Sequence, residues 1–200
     1  MTDQKRPYRM KRRAELEEDT RRRITESAVE LHGTLGPTRT SISAIADHAG
    51  VRRSTVYRHF PDEEALFSAC TGHWRASNPL PDLERWAAIA EPDERLSRAL
   101  DELYAYYGST QAMMANVLRD EALSPLVARM LAGYYDYLAA ARDVLMAGRR
   151  LRGRPRLRTR AAIAHALAFP AWHSLAFEQD LEDAEAAELM RRLVAAAAER

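Results

Sequence analysis

Cysteine is almost missing from this chain. Cys70 is the only one in 200 residues, which excludes an intrachain disulfide and a cysteine-cluster metal site and points to a reducing compartment, the cytoplasm. Glycine is sparse, with 8 residues, and alternating β-branched runs are lacking, so an all-α fold is expected rather than one containing a sheet. Nor is there a run of about 18 apolar residues, the length a membrane-spanning helix needs. The basic start Lys5-Arg6-Pro7-Tyr8-Arg9-Met10-Lys11-Arg12-Arg13 leads into the charged stretch from Glu15 to Arg23, not into the apolar segment of a signal peptide. Catalytic signatures are missing as well: no HExxH spacing, no Gly-rich phosphate loop and no nucleophile elbow, so an enzyme is not expected. His165 and His173 lie two turns apart with no carboxylate at a ligand-like offset, so neither a metal nor another cofactor is expected.

What the chain does have is apolar mass and a divided charge. Hydrophobic residues make up 46%, dominated by Ala and Leu, enough for a packed core. The net charge of +1 hides an asymmetry: residues 1–60 carry 13 Lys/Arg against 8 Asp/Glu, and residues 61–200 carry 17 against 21. A basic head on a mildly acidic body fits a nucleic-acid reader with a second duty elsewhere. The expected organisation is a basic arm over 1–18, a three-helix DNA-binding head over 19–75 and a larger helical body over 76–200. The break Ser77-Asn78-Pro79-Leu80-Pro81 separates head from body. Beyond it, the spacing predicts a short piece at 82–89 and helices at 92–107, 111–119, 124–148, 157–177 and 183–198, with a basic loop before Leu157.

Thr40 to Phe60 is the stretch with the clearest task. Ile42, Ile45, Ala46 and Ala49 line one helical face behind a Thr40 or Ser41 cap, Gly50 ends that helix, and Ser54 to His59 form a second short one. If Ile45, Val51 and Val56 meet beneath the turn, Arg52, Arg53, Ser54, Thr55 and Arg58 are left facing out. Arginine forks suit guanine edges, hydroxyls donate and accept, and Tyr57 and His59 can reach phosphate oxygens. Tyr57 suits packing as well as a phosphate contact, and the basic arm suits a solvated tail as well as a minor-groove contact.

These residues resemble the TetR (tetracycline-repressor-like) transcriptional regulators. The resemblance runs over about residues 19–70, through Ile45-Ala46, Ala49-Gly50-Val51, Thr55-Val56-Tyr57 and His59-Phe60, followed by Glu64-Ala65-Leu66. It implies a homodimer on a double-stranded palindromic operator, an effector pocket in the body, and release of DNA when a small molecule binds. Thr40, Ser41, Arg52, Arg53, Ser54, Thr55, Tyr57, Arg58 and His59 are the expected DNA contacts. One position departs: Glu63 stands where the family commonly has a Lys that reaches a phosphate.

In the body, aromatics and Met suit an adaptable apolar pocket. Trp86, Tyr104, Tyr107, Met114, Tyr134, His165, Phe169, Trp172 and His173 are the candidate effector contacts, and an apolar or aromatic effector is expected. Ala161, Ala164, Ala168, Leu189, Leu193 and Ala197 give the last helices faces suited to pairing across a two-fold. Arg-Gly-Arg-Pro at 152–155 resembles the core of an AT-hook, but a basic surface loop is the better reading. An architectural DNA binder without an effector is the rival function.

Overall fold

The computed structural model describes residues 5–199, with side chains from Met10 onward. Among the described residues the fold is all-α, and no helix is long and apolar enough to cross a membrane. The chain divides into two compact units. One comprises the residues up to Ser77 together with Ala115–Met130; the other comprises Asn78–Met114 and everything from Leu131 onward.

The first unit is built on α1 (Lys5–Thr34), α2 (Ile42–His48), α3 (Arg53–His59) and α4 (Glu63–Ser77). Helix α1 is continuous from Lys5, so the boundary expected at residue 19 does not interrupt the backbone; the first four residues of the expected arm lie outside the described residues. Ile24 and Ala28, one turn apart, are fully buried and meet Ile45, Ala46, Val56, Phe60, Leu66 and Cys70. Leu35 is exposed, one residue past the end of α1 at Thr34. Asp62 caps α4 by accepting from the Ala65 N–H at 2.7 Å.

The second unit holds α5 (Leu83–Ala87), most of α6 (Pro92–Asp120) and α7 (Pro125–Met146), then α8 (Gly153–Leu167), α9 (Phe169–Trp172) and α10 (Asp183–Ala198). A single π-turn, His173–Phe177, follows α9. The helices expected at 92–107 and 111–119 are one helix, α6. Gly108-Ser109-Thr110 reads as a break because Gly costs about 1 kcal/mol against Ala in a helix. The helix survives because Leu103, Tyr104, Tyr107, Thr110 and Met114 bury a continuous stripe, and Ser109 and Thr110 donate back to the Tyr106 carbonyl.

The helix expected over 157–177 is interrupted instead. It begins earlier, at Gly153, with Pro155 in a first turn that needs no N–H there. It stops at Leu167 because Pro170 has no N–H to give, and its ring excludes the carbonyl four residues back, on Ala166. The freed carbonyls are not orphaned. Tyr104 donates its hydroxyl to the Ala166 carbonyl at 3.0 Å and Tyr107 donates to that of Leu167 at 2.6 Å. Since Tyr107 spends its proton there, the 2.8 Å contact between the Tyr107 and Tyr134 hydroxyls has Tyr134 as donor.

Candidate nucleic-acid interface

The turn between α2 and α3 follows from one residue. Gly50 sits at φ +64, the left-handed conformation that ends a helix, and the bonds around it are those of a Schellman motif. The Val51 N–H reaches back to the Ala46 carbonyl at 2.9 Å, and the Gly50 N–H reaches that of Asp47 at 3.1 Å. Ser41 closes the other end of α2, its hydroxyl accepting from the Ala44 N–H at 3.1 Å. With both ends fixed, Val56 turns into the core and the rest of α3 is presented outward.

Arg52, Arg53, Ser54, Tyr57 and Arg58 are exposed on this helix, with Thr55 and His59 half-buried. Arg53 is preorganised: it donates to the Tyr57 hydroxyl at 3.1 Å and lies 5.5 Å over that ring. Exposed Arg53 keeps further N–H donors beyond the one given to Tyr57, and the Tyr57 proton stays free to donate. Glu63 is exposed and attracts Arg53 only weakly. Ser41 accepts internally and keeps its own proton for an outside acceptor. Thr40 does the opposite, spending its proton on the Gly36 carbonyl at 2.8 Å, so it has no donor left for a phosphate in this conformation. Burial and the positive charge of Arg58 and Arg21 push the His59 imidazole below its ordinary range.

Three supports escaped the sequence reading. Arg21 on α1 donates to the His59 carbonyl at 2.8 Å and covers the Phe60 ring at 4.3 Å, tying the end of α3 to α1 across 38 positions. His32 is buried between the Cys70 thiol, 3.6 Å away, and the Phe67 ring, 5.0 Å away. Burial pushes this imidazole down to about 4, against a weaker pull from Asp120. The same burial pushes the Cys70 thiol up to about 12, which makes it unreactive.

The third support is the end of α6. Asn116 donates to the Gly33 carbonyl at 2.7 Å, Arg119 to that of Leu35 at 3.0 Å, and Asp120 receives the Thr38 N–H at 2.9 Å. Together they fill the exposed end of α1 and fix the 3-10 turn Pro37–Arg39 that leads into α2. Burial alone would raise the Asp120 carboxyl, but hydrogen bonds from Arg119 and Thr38 outweigh it and hold the group below its ordinary range. None of these links is visible as a local pattern.

Within the second unit, most of the expected effector contacts converge. Tyr107 lies 5.3 Å from Phe169 and 5.8 Å from Trp172, ring centre to ring centre, and Phe169 lies 5.5 Å from His173. Tyr104 stacks on Tyr107 and Tyr134 bonds to it. Burial holds the Tyr104 and Tyr107 hydroxyls firmly protonated and pushes Tyr134 up to about 12. A cavity of about 410 Å³ opens beside this cluster, against Trp172, Phe177, Gly108, Gln111 and Asp183. Trp86 is elsewhere, donating to Glu102 at 2.8 Å and meeting Tyr137 edge-on. Met114 is buried, whereas His165 is exposed and is not brought to the cluster. Phe177 and Gln111 line the cavity without having been singled out from the sequence.

Residues 24–70 match the model of a family described as bacterial regulatory proteins, tetR family. The head is a TetR-family DNA-binding domain. The fold is shared over about nine-tenths of the chain with solved structures of transcriptional regulators, TetR-family members among them. PfmR, a TetR-family transcriptional regulator from Thermus thermophilus, is 21% identical, with 88% of this chain and 99% of that one covered and a TM-score of 0.61. The hemolysin II transcriptional regulator HlyIIR is 18% identical, with coverage of 92% and 99% and a TM-score of 0.64. A TetR transcription regulator from Haloarcula marismortui ATCC 43049 is 17% identical, with coverage of 90% and 97% and a TM-score of 0.57. At these identities the likeness carries the fold. No curated protein sequence matches the chain. The family match is thus confined to the head, and the likeness of fold extends into the body.

Proposed function

We propose that this regulator is a dimeric repressor whose α3 helices enter successive major grooves of a palindromic operator and leave when a small molecule occupies the body. The observation that carries the reading is α3 itself, with Arg52, Arg53, Ser54, Tyr57 and Arg58 exposed around an Arg53–Tyr57 pair. Arg53 reads a base edge, while Arg52, Arg58, Ser41 and Tyr57 hold phosphates. Thr55 supports them at the groove wall, and His59 and Thr40 act through the backbone they order. The effector is a small molecule with an aromatic or apolar part, received in the cavity beside Trp172 and Phe177.

Two exposed apolar stripes support the dimer. Leu157, Ala161 and Ala164 follow one side of α8 at intervals of four and three, and Leu189, Leu193 and Ala196 repeat that spacing on α10. The two helices pack together in one protomer, so the stripes form one surface that a second copy can cover about a two-fold axis.

Footprinting on the DNA upstream of the regulator's own gene and its neighbours tests the reading. A short, symmetric protected site at moderate salt is expected. Protection that spreads along any duplex would overturn it in favour of an architectural binder.

A further inference from the structure

The mild negative charge of the body conceals a concentrated positive region. Residues 147–161 contain seven arginines and no carboxylate, while the rest of 61–200 carries ten Lys/Arg against 21 Asp/Glu. The region is not a featureless loop. A cleft of about 570 Å³ opens where α7 ends and α8 begins, lined by Arg149, Arg150, Arg156, Arg160 and Asp143 beside Met146.

These arginines have different amounts of work inside the fold. Arg149 is structural: it pairs with Asp93 at 2.8 Å and donates to the Leu145 and Pro92 carbonyls, closing the end of α7. Arg160 pairs with Asp143 at 2.9 Å, but Asp143 is shared with Arg142 at 3.3 Å, so one carboxylate faces two guanidiniums. Among the described residues, Arg150, Arg152, Arg154 and Arg156 have no carboxylate within 4.0 Å. The last three are not held by any carboxylate of the fold. They stand at the cap and in the first turn of α8, which has no acidic residue there and no side-chain cap, and a helix N-terminus repels cations.

We propose that this cleft binds a small phosphate-bearing anion of more than one charge, gripped by the Arg150 and Arg156 forks and by the outer side of Arg160. Paired N–H donors in a fixed plane match phosphate oxygens, and the cleft has the volume of an ordinary small-ligand site. A concave site suits such a ligand better than a duplex, whose backbone needs an open track. The cavity beside Trp172, lined by Asp180, Glu182 and Asp183 as well as by Trp172 and Phe177, shares no residue with this cleft and has the opposite charge.

Calorimetry on the full chain with inorganic pyrophosphate, at about 150 mM salt where unbuilt surface charge is screened, tests the proposal. Saturable one-site binding is expected, weakened at least about tenfold in the double variant Arg150→Gln, Arg156→Gln. The melting temperature and operator affinity measured without pyrophosphate should match the parent chain. Absent saturation, or equal affinity in the variant, overturns the site. Loss of random-duplex or operator binding in the variant, with no pyrophosphate signal in the parent, would assign the arginines to DNA and also overturn it.

Discussion

Asp120, fully buried at the end of α6, accepts the backbone N–H of Thr38 at 2.9 Å across 82 positions of the chain. Its other oxygen takes the Arg119 Nε at 2.9 Å. A buried carboxylate is tolerable only because both oxygens are engaged and the charge is paired. Asp120→Ala leaves the Thr38 donor unsatisfied and frees the turn before α2, at an expected cost of about 1–3 kcal/mol. Urea unfolding measures it, and operator affinity should fall with it, because the turn it holds leads directly to the cap of α2. Unchanged unfolding would mean that water replaces the carboxylate without loss.

Two glycines with left-handed backbones should respond differently to the same substitution. Gly50→Ala places a Cβ in open space at φ +64, so only backbone strain opposes it, about 1 kcal/mol, with more for the β-branched Gly50→Val. Gly36→Ala meets strain at φ +96 and also drives the Cβ against the Arg119 guanidinium and to within 2.7 Å of Asp120 Oδ2. The second variant should melt lower than the first. Equal melting temperatures would show that the Arg119–Asp120 side chains yield freely.

The contrast between these glycines also shows what was legible in the sequence. Gly50 could be read because the Schellman motif is local: Ala46, Asp47, Gly50 and Val51 fall within six residues, and each choice points the same way. Gly36 carries no such local signal, since its neighbours Arg119 and Asp120 arrive from the far end of α6. Arg21 and His32 were missed for the same reason. In the body, the aromatic residues could be named but not grouped, since Trp86 and Trp172 differ only in which helices their faces meet. The break before Phe169 did have a local signal, Pro170, overridden in the reading by the strong Ala/Leu periodicity on either side.

Arg53 should separate base reading from charge. Arg53→Ala is expected to weaken operator binding by about 1–3 kcal/mol while leaving random-duplex binding nearly unchanged. Arg58→Ala should weaken both and lower the salt slope by about one. Tyr57→Phe removes the hydroxyl that receives Arg53 at 3.1 Å but keeps the ring beneath it, so its loss should be the smaller. Equal losses on both DNAs for Arg53→Ala would make it a phosphate contact.

His32 makes the head sensitive to mild acid. Its folded value lies at about 4 against an ordinary 6.5, so between these values the unfolded chain holds a proton that the folded chain does not. Stability from this group is therefore complete above pH 6.5 and lost progressively as pH falls towards 4, by about 3 kcal/mol in all. His32→Leu should flatten that part of the stability profile, read from urea midpoints at successive pH values. A profile equally steep in the variant would place the acid sensitivity in other groups.

The proposed dimer surface offers a sharper test than its area, because a two-fold contact presents every change twice. Leu189 and Leu193 are 46% and 42% exposed on one side of α10, so replacing them costs the isolated protomer little core packing. In a covered interface the same positions would be buried, so Leu189→Glu with Leu193→Glu would put carboxylates there without counterions. Sedimentation should show a monomer with parental helicity, and operator affinity should collapse, since two half-sites would have to be bound independently. If the variant stayed dimeric and bound its operator as before, the α8–α10 surface would not be the interface.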